Sequence, residues 1–299
     1  MQAILYIGHG SRVKTGVQQF ERFIEEVMRQ MPGDNLFQTY GFIELSAPTI
    51  TSAIESCIEN GARNIAIVPV LLLTAGHART DIPEEVKAVK RRFPHITFTY
   101  GETIGVCEEA VDLAVKRLID AGLPKMTKDT ERIHDVLVVG RGSSDGYQPS
   151  DVAKIARLIY ERTACENIEI CFLAATTPTL EQGIEKMEKL RSEKTYVLPY
   201  LLFTGVLMNE LDDFLQTRTG PTSYVRCDFL GKDAALAPVI VARAKQALEG
   251  KYSNEQVTHR LAPHFNECRR RWRRECRVAK NSPSARQRHS DHRHLPFFT

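Results

Sequence analysis

The sequence has little that would carry it across a membrane or hold it together by disulfides. Its longest apolar run, IAIVPVLLL from Ile65 to Leu73, is interrupted by a proline and falls well short of the roughly 20 residues that a membrane helix needs. The N-terminus shows no basic segment followed by an apolar segment and a small-residue cleavage site. A cytoplasmic protein with no membrane partner is therefore expected. Seven cysteines, Cys57, Cys107, Cys165, Cys171, Cys227, Cys268 and Cys276, are scattered without a CxxC pair, which argues against a disulfide framework, a zinc ribbon and an iron-sulfur cluster. Reduced thiols are expected, the earlier ones filling the core. There is no GxxxxGK[ST] loop, so neither ATP nor another nucleotide cofactor is called for.

Charge is unevenly spread. From residue 251 onward there are 12 Lys/Arg and 4 Asp/Glu, which leaves 28 basic and 33 acidic residues before it and a net charge of −5 there. The body is mildly acidic, and no nucleic-acid partner is expected for it. The segment 251–299 holds five of the nine histidines, including His289, His292 and His294, and the run CRRRWRREC around the single Trp272. It keeps neither a helical nor a strand period, so a disordered basic tail is expected.

Before residue 250 the pattern is regular. Apolar runs of strand length, AILYIG, FQTYGFIEL, NIAIVPVLLL and ITFTYG, alternate with amphipathic segments such as GVQQFERFIEEVMRQM, in which Val17, Phe20, Ile24, Val27 and Met31 recur at helical spacing. Strands alternating with helices of this length predict right-handed βαβ units and a mostly parallel α/β sheet.

The same order then returns. DVLVVGRGSSD echoes AILYIGHGSR, CFLAATTPTLEQGIE echoes GFIELSAPTITSAIE, and YVLPYLLFTGV echoes IAIVPVLLLTAG. Pro48 and Pro178, Pro69 and Pro199, Thr74 and Thr204, and Gly101 and Gly231 all stand 130 apart, and Gly8 and Gly140 stand 132 apart. The chain is read as two tandem repeats of a four-stranded parallel-sheet α/β unit. The first spans 1–122, a polar linker spans 123–134, a degenerate second repeat spans 135–250, and the tail spans 251–299.

The copies differ where chemistry could reside. His9 stands opposite Arg141, Glu44 opposite Ala174, and His77 opposite Leu207, while the Gly, Pro and Thr residues that shape the backbone are kept in both. The fold evidently does not need the two imidazoles or the carboxylate. A lone histidine is commonly a surface or satisfied core residue, and His95 and His134 are read that way, in polar loops. His9, Glu44 and His77 are different because each falls at the carboxyl end of one of the first three strands, and in an open parallel sheet ligands bind outside that edge. Two imidazoles and a carboxylate on one rim suit a first-row transition metal with open coordination positions. Gly8 and Gly10 would let the chain turn tightly and let a bulky partner approach His9.

Taken together, GHGSR after the first strand, a Glu followed by SAPT after the second, and PVLLLTAGHARTDIP after the third resemble the class II tetrapyrrole chelatases, the sirohydrochlorin ferrochelatase and cobaltochelatase (SirB/CbiX) family in its long bacterial form. The resemblance covers about residues 1 to 250. It implies a lyase of siroheme or cobalamin biosynthesis that inserts Fe²⁺ or Co²⁺, with Ni²⁺ and Zn²⁺ as further candidates, into sirohydrochlorin and releases two protons. The divalent metal is then a substrate. His9 and His77 are implied as metal ligands acting in proton exchange, and Glu44 as third ligand or proton acceptor. Neutral imidazoles, with an unperturbed pKa of about 6.5, suit that exchange. For the carboxylates of the tetrapyrrole, Arg12 and Arg79 are the candidates, with Ser11 and Thr80 beside them. Asp81 is expected to cap the helix that begins IPEEVKAV. The resemblance also implies a cleft between the two repeats that takes the tetrapyrrole over the first half's strand ends, and a duplicated chain can supply both of its walls, so a monomer is expected. Two alternatives are weighed: a non-enzymatic metal- or tetrapyrrole-binding protein, which would use the same ligands, and a histidine-type phosphatase, which would need an Arg where Gly8 stands.

Overall fold

The computed structural model describes residues 1–74 and 76–250, apart from the side chain of His77. The segment 251–299, and with it the expected tail, lies outside the described residues. The first repeat runs β1 (Gln2–Gly8), α1 (Lys14–Arg29), β2 (Leu36–Phe42), α2 (Ile50–Glu59), β3 (Asn64–Pro69), α3 (Ile82–Arg92), β4 (Thr97–Tyr100) and α4 (Glu108–Asp120). The second runs β5 (His134–Gly140), α5 (Tyr147–Tyr160), β6 (Cys165–Phe172), α6 (Leu180–Leu190), β7 (Lys194–Tyr200), α7 (Val206–Gln216), β8 (Ser223–Arg226) and α8 (Ala237–Leu248). Each half is a four-stranded parallel sheet, ordered β2-β1-β3-β4 and β6-β5-β7-β8. Among the described residues no helix is long and apolar enough to cross a membrane.

The central strands explain the continuous apolar runs. Ala3 to Ile7 and Val136 to Val139 are wholly buried, because a parallel strand flanked on both sides and covered on both faces offers no side to water. Tyr6 is tolerated there because its hydroxyl donates to Gln38 Oε1 at 2.9 Å. The Gln38 amide in turn donates to the Met31 carbonyl at 2.9 Å, beside the C-terminus of α1. Four of the five described thiols, Cys57, Cys165, Cys171 and Cys227, are buried and all five are unbridged. Burial pushes Cys57, Cys171 and Cys227 up to about 12, which leaves them as inert core residues.

The duplication holds at the level of the backbone. Both halves have a cis X-Pro bond, Ala47–Pro48 and Thr177–Pro178, and a left-handed residue just before it, Leu45 at φ 63° and Ala175 at φ 60°. Thr49 and Thr179 cap the following helices, accepting from the backbone N–H of Ser52 and Gln182.

The two halves exchange their last helices. The helix α4 packs on α5 and β7 of the second half, and α8 packs on α1 and β3 of the first, so one hydrophobic core runs through both. Two arginines secure the exchange. Arg117, 3% exposed, reaches from α4 to the carbonyls of Phe229 and Leu230 and to Asp233, each at 3.0 Å. Arg243 reaches from α8 to the carbonyls of Thr103 and Ile104, each at 3.1 Å.

Two local expectations are corrected. His134 does not sit in a polar loop: it opens β5 and packs edge-on against the Tyr196 ring at 5.8 Å. Asp81 is not an extended cap. A π-helical turn, His77–Asp81, runs directly into α3, and Asp81 has helical dihedrals of φ −68° and ψ −48°.

Candidate functional site

In the first sheet β1 lies between β2 and β3, so the three loops that leave their carboxyl ends are neighbours. The chain goes from β1 to β2 on one side and returns to β3 on the other, which is the kind of switch point at which open α/β sheets bind ligands.

Strand pairing continues past the end of the sheet and sets the first pair of side chains. Ile43 donates its backbone N–H to the Gly8 carbonyl at 2.9 Å, and Glu44 donates to the His9 carbonyl at 3.1 Å. Gly8 permits this because any side chain there would meet the Phe20 ring at 2.5 Å. Gly10 is required twice over: its φ is +94°, and a Cβ would lie 1.8 Å from the Glu44 carbonyl oxygen. With the backbones in register, His9 Nε2 comes to 3.6 Å from Glu44 Oε1. The Glu44 side chain is half-exposed at 48% and that of His9 is 27% exposed, with His9 Nε2 itself shielded from solvent.

The third candidate, His77, opens the π-helical turn after β3, and its neighbour Ala78 lines the same cleft as His9 and Glu44. The His77 side chain lies outside what the structure describes. Among the described residues, His9 and Glu44 form a pair, and no cluster of three metal-ligating side chains occurs.

The second half repeats this scaffold without these side chains. Ala174 donates to the Arg141 carbonyl at 2.9 Å, Gly142 has φ +90°, and a Cβ on it would lie 1.8 Å from the Ala174 carbonyl oxygen. The same loops thus carry Arg141 and Ala174 where the first half carries His9 and Glu44.

A cleft of about 490 Å³ lies between the halves. His9, Glu44 and Arg12 line it from one side, Arg141, Phe203 and Leu207 from the other. The volume is in the range of small-molecule sites, with polar groups of one half set against a mainly apolar wall.

The four candidate substrate contacts part company. Ser11 lines the cleft, but its hydroxyl accepts from Val13 N–H at 3.0 Å and its own N–H donates to Ser46 Oγ at 3.0 Å, so it braces the loop. Arg12 stands exposed on the cleft wall. Arg79 is engaged elsewhere, 3.3 Å from Asp145 and over the Tyr147 ring at 4.4 Å. Thr80 is exposed and does not line the cleft. Two lining residues escaped the reading of the sequence. In the sequence Arg141 stands out only as the residue in place of a histidine, yet that equivalence puts its charge across the cleft from His9. Gln148, 8% exposed on α5, carried no signal in a helical pattern.

The chain belongs to the CbiX family, whose model matches residues 3–121 and again 135–247, the two repeats. It is 41% identical over 263 residues to the sirohydrochlorin ferrochelatase of Priestia megaterium, a match that covers 88% of this chain and 96% of that protein. It is 34% identical over 256 residues to the sirohydrochlorin cobaltochelatase of the same organism, covering 84% and 81%. Among solved structures it resembles SirB from Bacillus subtilis with Fe³⁺, with a TM-score of 0.72 and 36% identity over 84% of this chain and 98% of that one.

Proposed function

We propose that the chain is a sirohydrochlorin chelatase, inserting Fe²⁺ or Co²⁺ into the tetrapyrrole and releasing two protons. The observation that carries this is the His9–Glu44 pair, 3.6 Å apart on the wall of the cleft, present in one of two loop pairs that are otherwise built alike. The relatives named ferrochelatase and cobaltochelatase support the reaction and leave both metals in view.

The ion is held by His9 and Glu44, with His77 as third ligand from the neighbouring loop. An imidazole and a carboxylate hold such an ion without enclosing it, so an open position faces the cleft. As the ion passes to the macrocycle, two pyrrole protons must leave. The ligands it vacates, an imidazole and the Glu44 carboxylate, are bases placed to accept them. Protons then pass to solvent by way of the half-exposed Glu44 carboxylate. The arginines on the cleft, Arg12 and Arg141, serve the carboxylates at the rim of the substrate, and the wall bearing Phe203 and Leu207 lies against the macrocycle. One chain provides both walls, so a monomer is the working unit.

The test is an anaerobic insertion assay with sirohydrochlorin and free Fe²⁺ or Co²⁺, followed by absorbance. Many equivalents of metallated product per chain are expected with at least one of the two metals. A ceiling of one equivalent with both would mark a binding protein and end this reading.

A further inference from the structure

Arg79 sits two residues after His77 on the π-helical turn His77–Asp81. Its Nη1 lies 3.3 Å from Asp145 Oδ2, and its guanidinium carbon lies 4.4 Å above the Tyr147 ring. Both charged side chains are largely withdrawn from water, at 17% and 15% exposure, which sets this pair apart from the solvated ion pairs elsewhere on the surface. Asp145 is itself fixed before Arg79 reaches it. Its Oδ1 accepts from the Tyr147 N–H at 3.1 Å, and its own N–H donates to Ser143 Oγ at 3.0 Å. A planar guanidinium that pairs on one edge and stacks on one face is held in a single orientation.

The duplication supplies an internal control. At the repeat offsets, Arg79 corresponds to Asn209, Asp145 to Val13 and Tyr147 to Thr15, so the related position in the molecule has no charge on either side and no ring. The wide turn is one-sided too, because α7 begins at Val206 as a plain α-helix. The clamp and the turn therefore occur together, once, on the side that bears His77. Had the arginine served only to join the halves, Arg117 and Arg243 already do so from other helices.

We propose that Arg79 is a positioning residue: by docking on Asp145 and Tyr147 of the second half, it fixes the π-helical turn and so the backbone that presents His77 to the metal ion. It does not bind a substrate carboxylate. The proposal rests on the reading of His77 as a ligand.

The experiment titrates Co²⁺ into the full-length, metal-free protein without tetrapyrrole, for wild type, His77→Ala, Arg79→Ala, Arg79→Lys, Asp145→Asn and the Arg79→Ala/Asp145→Asn double variant. Sirohydrochlorin binding without metal is measured in parallel. Arg79→Ala and Asp145→Asn are each expected to weaken Co²⁺ binding about tenfold, as loss of groups that orient ligands does. The double variant should be no worse than either single one, Arg79→Lys should recover part of the loss, and sirohydrochlorin affinity should stay within about twofold. If Arg79→Ala fails to fold, Asp145→Asn carries the test, since it keeps the size of the side chain and an acceptor for Tyr147. Weakened sirohydrochlorin binding in Arg79→Ala with Co²⁺ affinity intact and Asp145→Asn silent would make Arg79 a substrate contact and overturn the proposal. If His77→Ala loses Co²⁺ while both clamp variants keep it, the proposal alone fails. If His77→Ala binds Co²⁺ like wild type, the reading of the site fails and the proposal with it.

Discussion

Gly10 and Gly142 allow activity to be separated from stability within one chain. An alanine at either glycine must adopt φ near +90°, which costs about 1–2 kcal/mol for a residue with a Cβ. The new Cβ would lie 1.8 Å from the carbonyl oxygen of Glu44 or Ala174, and real contacts of this kind stay beyond 3.0 Å, so the paired loops must separate by about 1.2 Å. Together these should cost about 3 kcal/mol in each variant, or a fall in melting temperature of about 6–12 °C for a body of this size. The consequences for chemistry differ. In Gly10→Ala the displaced carbonyl belongs to Glu44, and a misplacement of about 1 Å at a reacting site can cost about 100-fold in rate. In Gly142→Ala it belongs to Ala174, which carries no ligand. Calorimetry and the insertion assay at 20 °C below the lower midpoint should therefore give matched stability losses and unmatched rates. If Gly142→Ala loses as much activity as Gly10→Ala, the loss follows from destabilisation, and the asymmetry between the halves does not place the chemistry.

Glu44→Gln preserves size while removing the charge and the basicity of a half-exposed side chain. It should lower insertion by about 100-fold with an unchanged melting temperature, checked by single-turnover absorbance and calorimetry. Arg117→Ala strips three hydrogen bonds from a side chain that is 3% exposed. A loss of about 2–4 kcal/mol is expected, read as a denaturation midpoint shifted without a second transition, because the exchanged helices make one core. Burial pushes the thiols of Cys57, Cys171 and Cys227 up to about 12. A raised folded pKa gives stability that is present below the unfolded value, near 9, and lost as pH rises through the folded one, so the melting temperature should decline above pH 9. Replacing the three with Ala or Val should flatten that decline, and iodoacetamide at pH 8 should spare them in the native protein, as peptide mass spectrometry would show.

What was legible in the sequence follows from what each residue has to satisfy. Apolar runs such as AILYI disclose buried central strands because no face of them meets water, and the paired prolines and glycines disclose the repeat because loop geometry tolerates few alternatives. The His9–Glu44 pair was legible for the same reason: both fall one or two residues past a strand end, and sheet order does the rest. The exchange of α4 and α8 was not, since an amphipathic stripe says that a face is buried but not against which sheet. The role of Arg79 was hidden similarly, because its partner Asp145 lies in the other repeat and the sequence around each shows only an ordinary charge. The π-helical turn escaped because HARTD carries no proline or glycine to mark an irregular helix, and Asp81 before IPEE imitates a conventional cap.

The most direct measurement is steady-state, anaerobic insertion of Co²⁺ and of Fe²⁺ into sirohydrochlorin by wild type and His9→Ala, with melting temperatures taken alongside. The account expects many turnovers from wild type and, from His9→Ala, at least a 100-fold lower rate at an unchanged melting temperature, since Arg141 holds the equivalent place in the second half without an imidazole. A His9→Ala protein that turns over at the wild-type rate would contradict it, and the chemistry would have to be sought away from the strand ends of the first half.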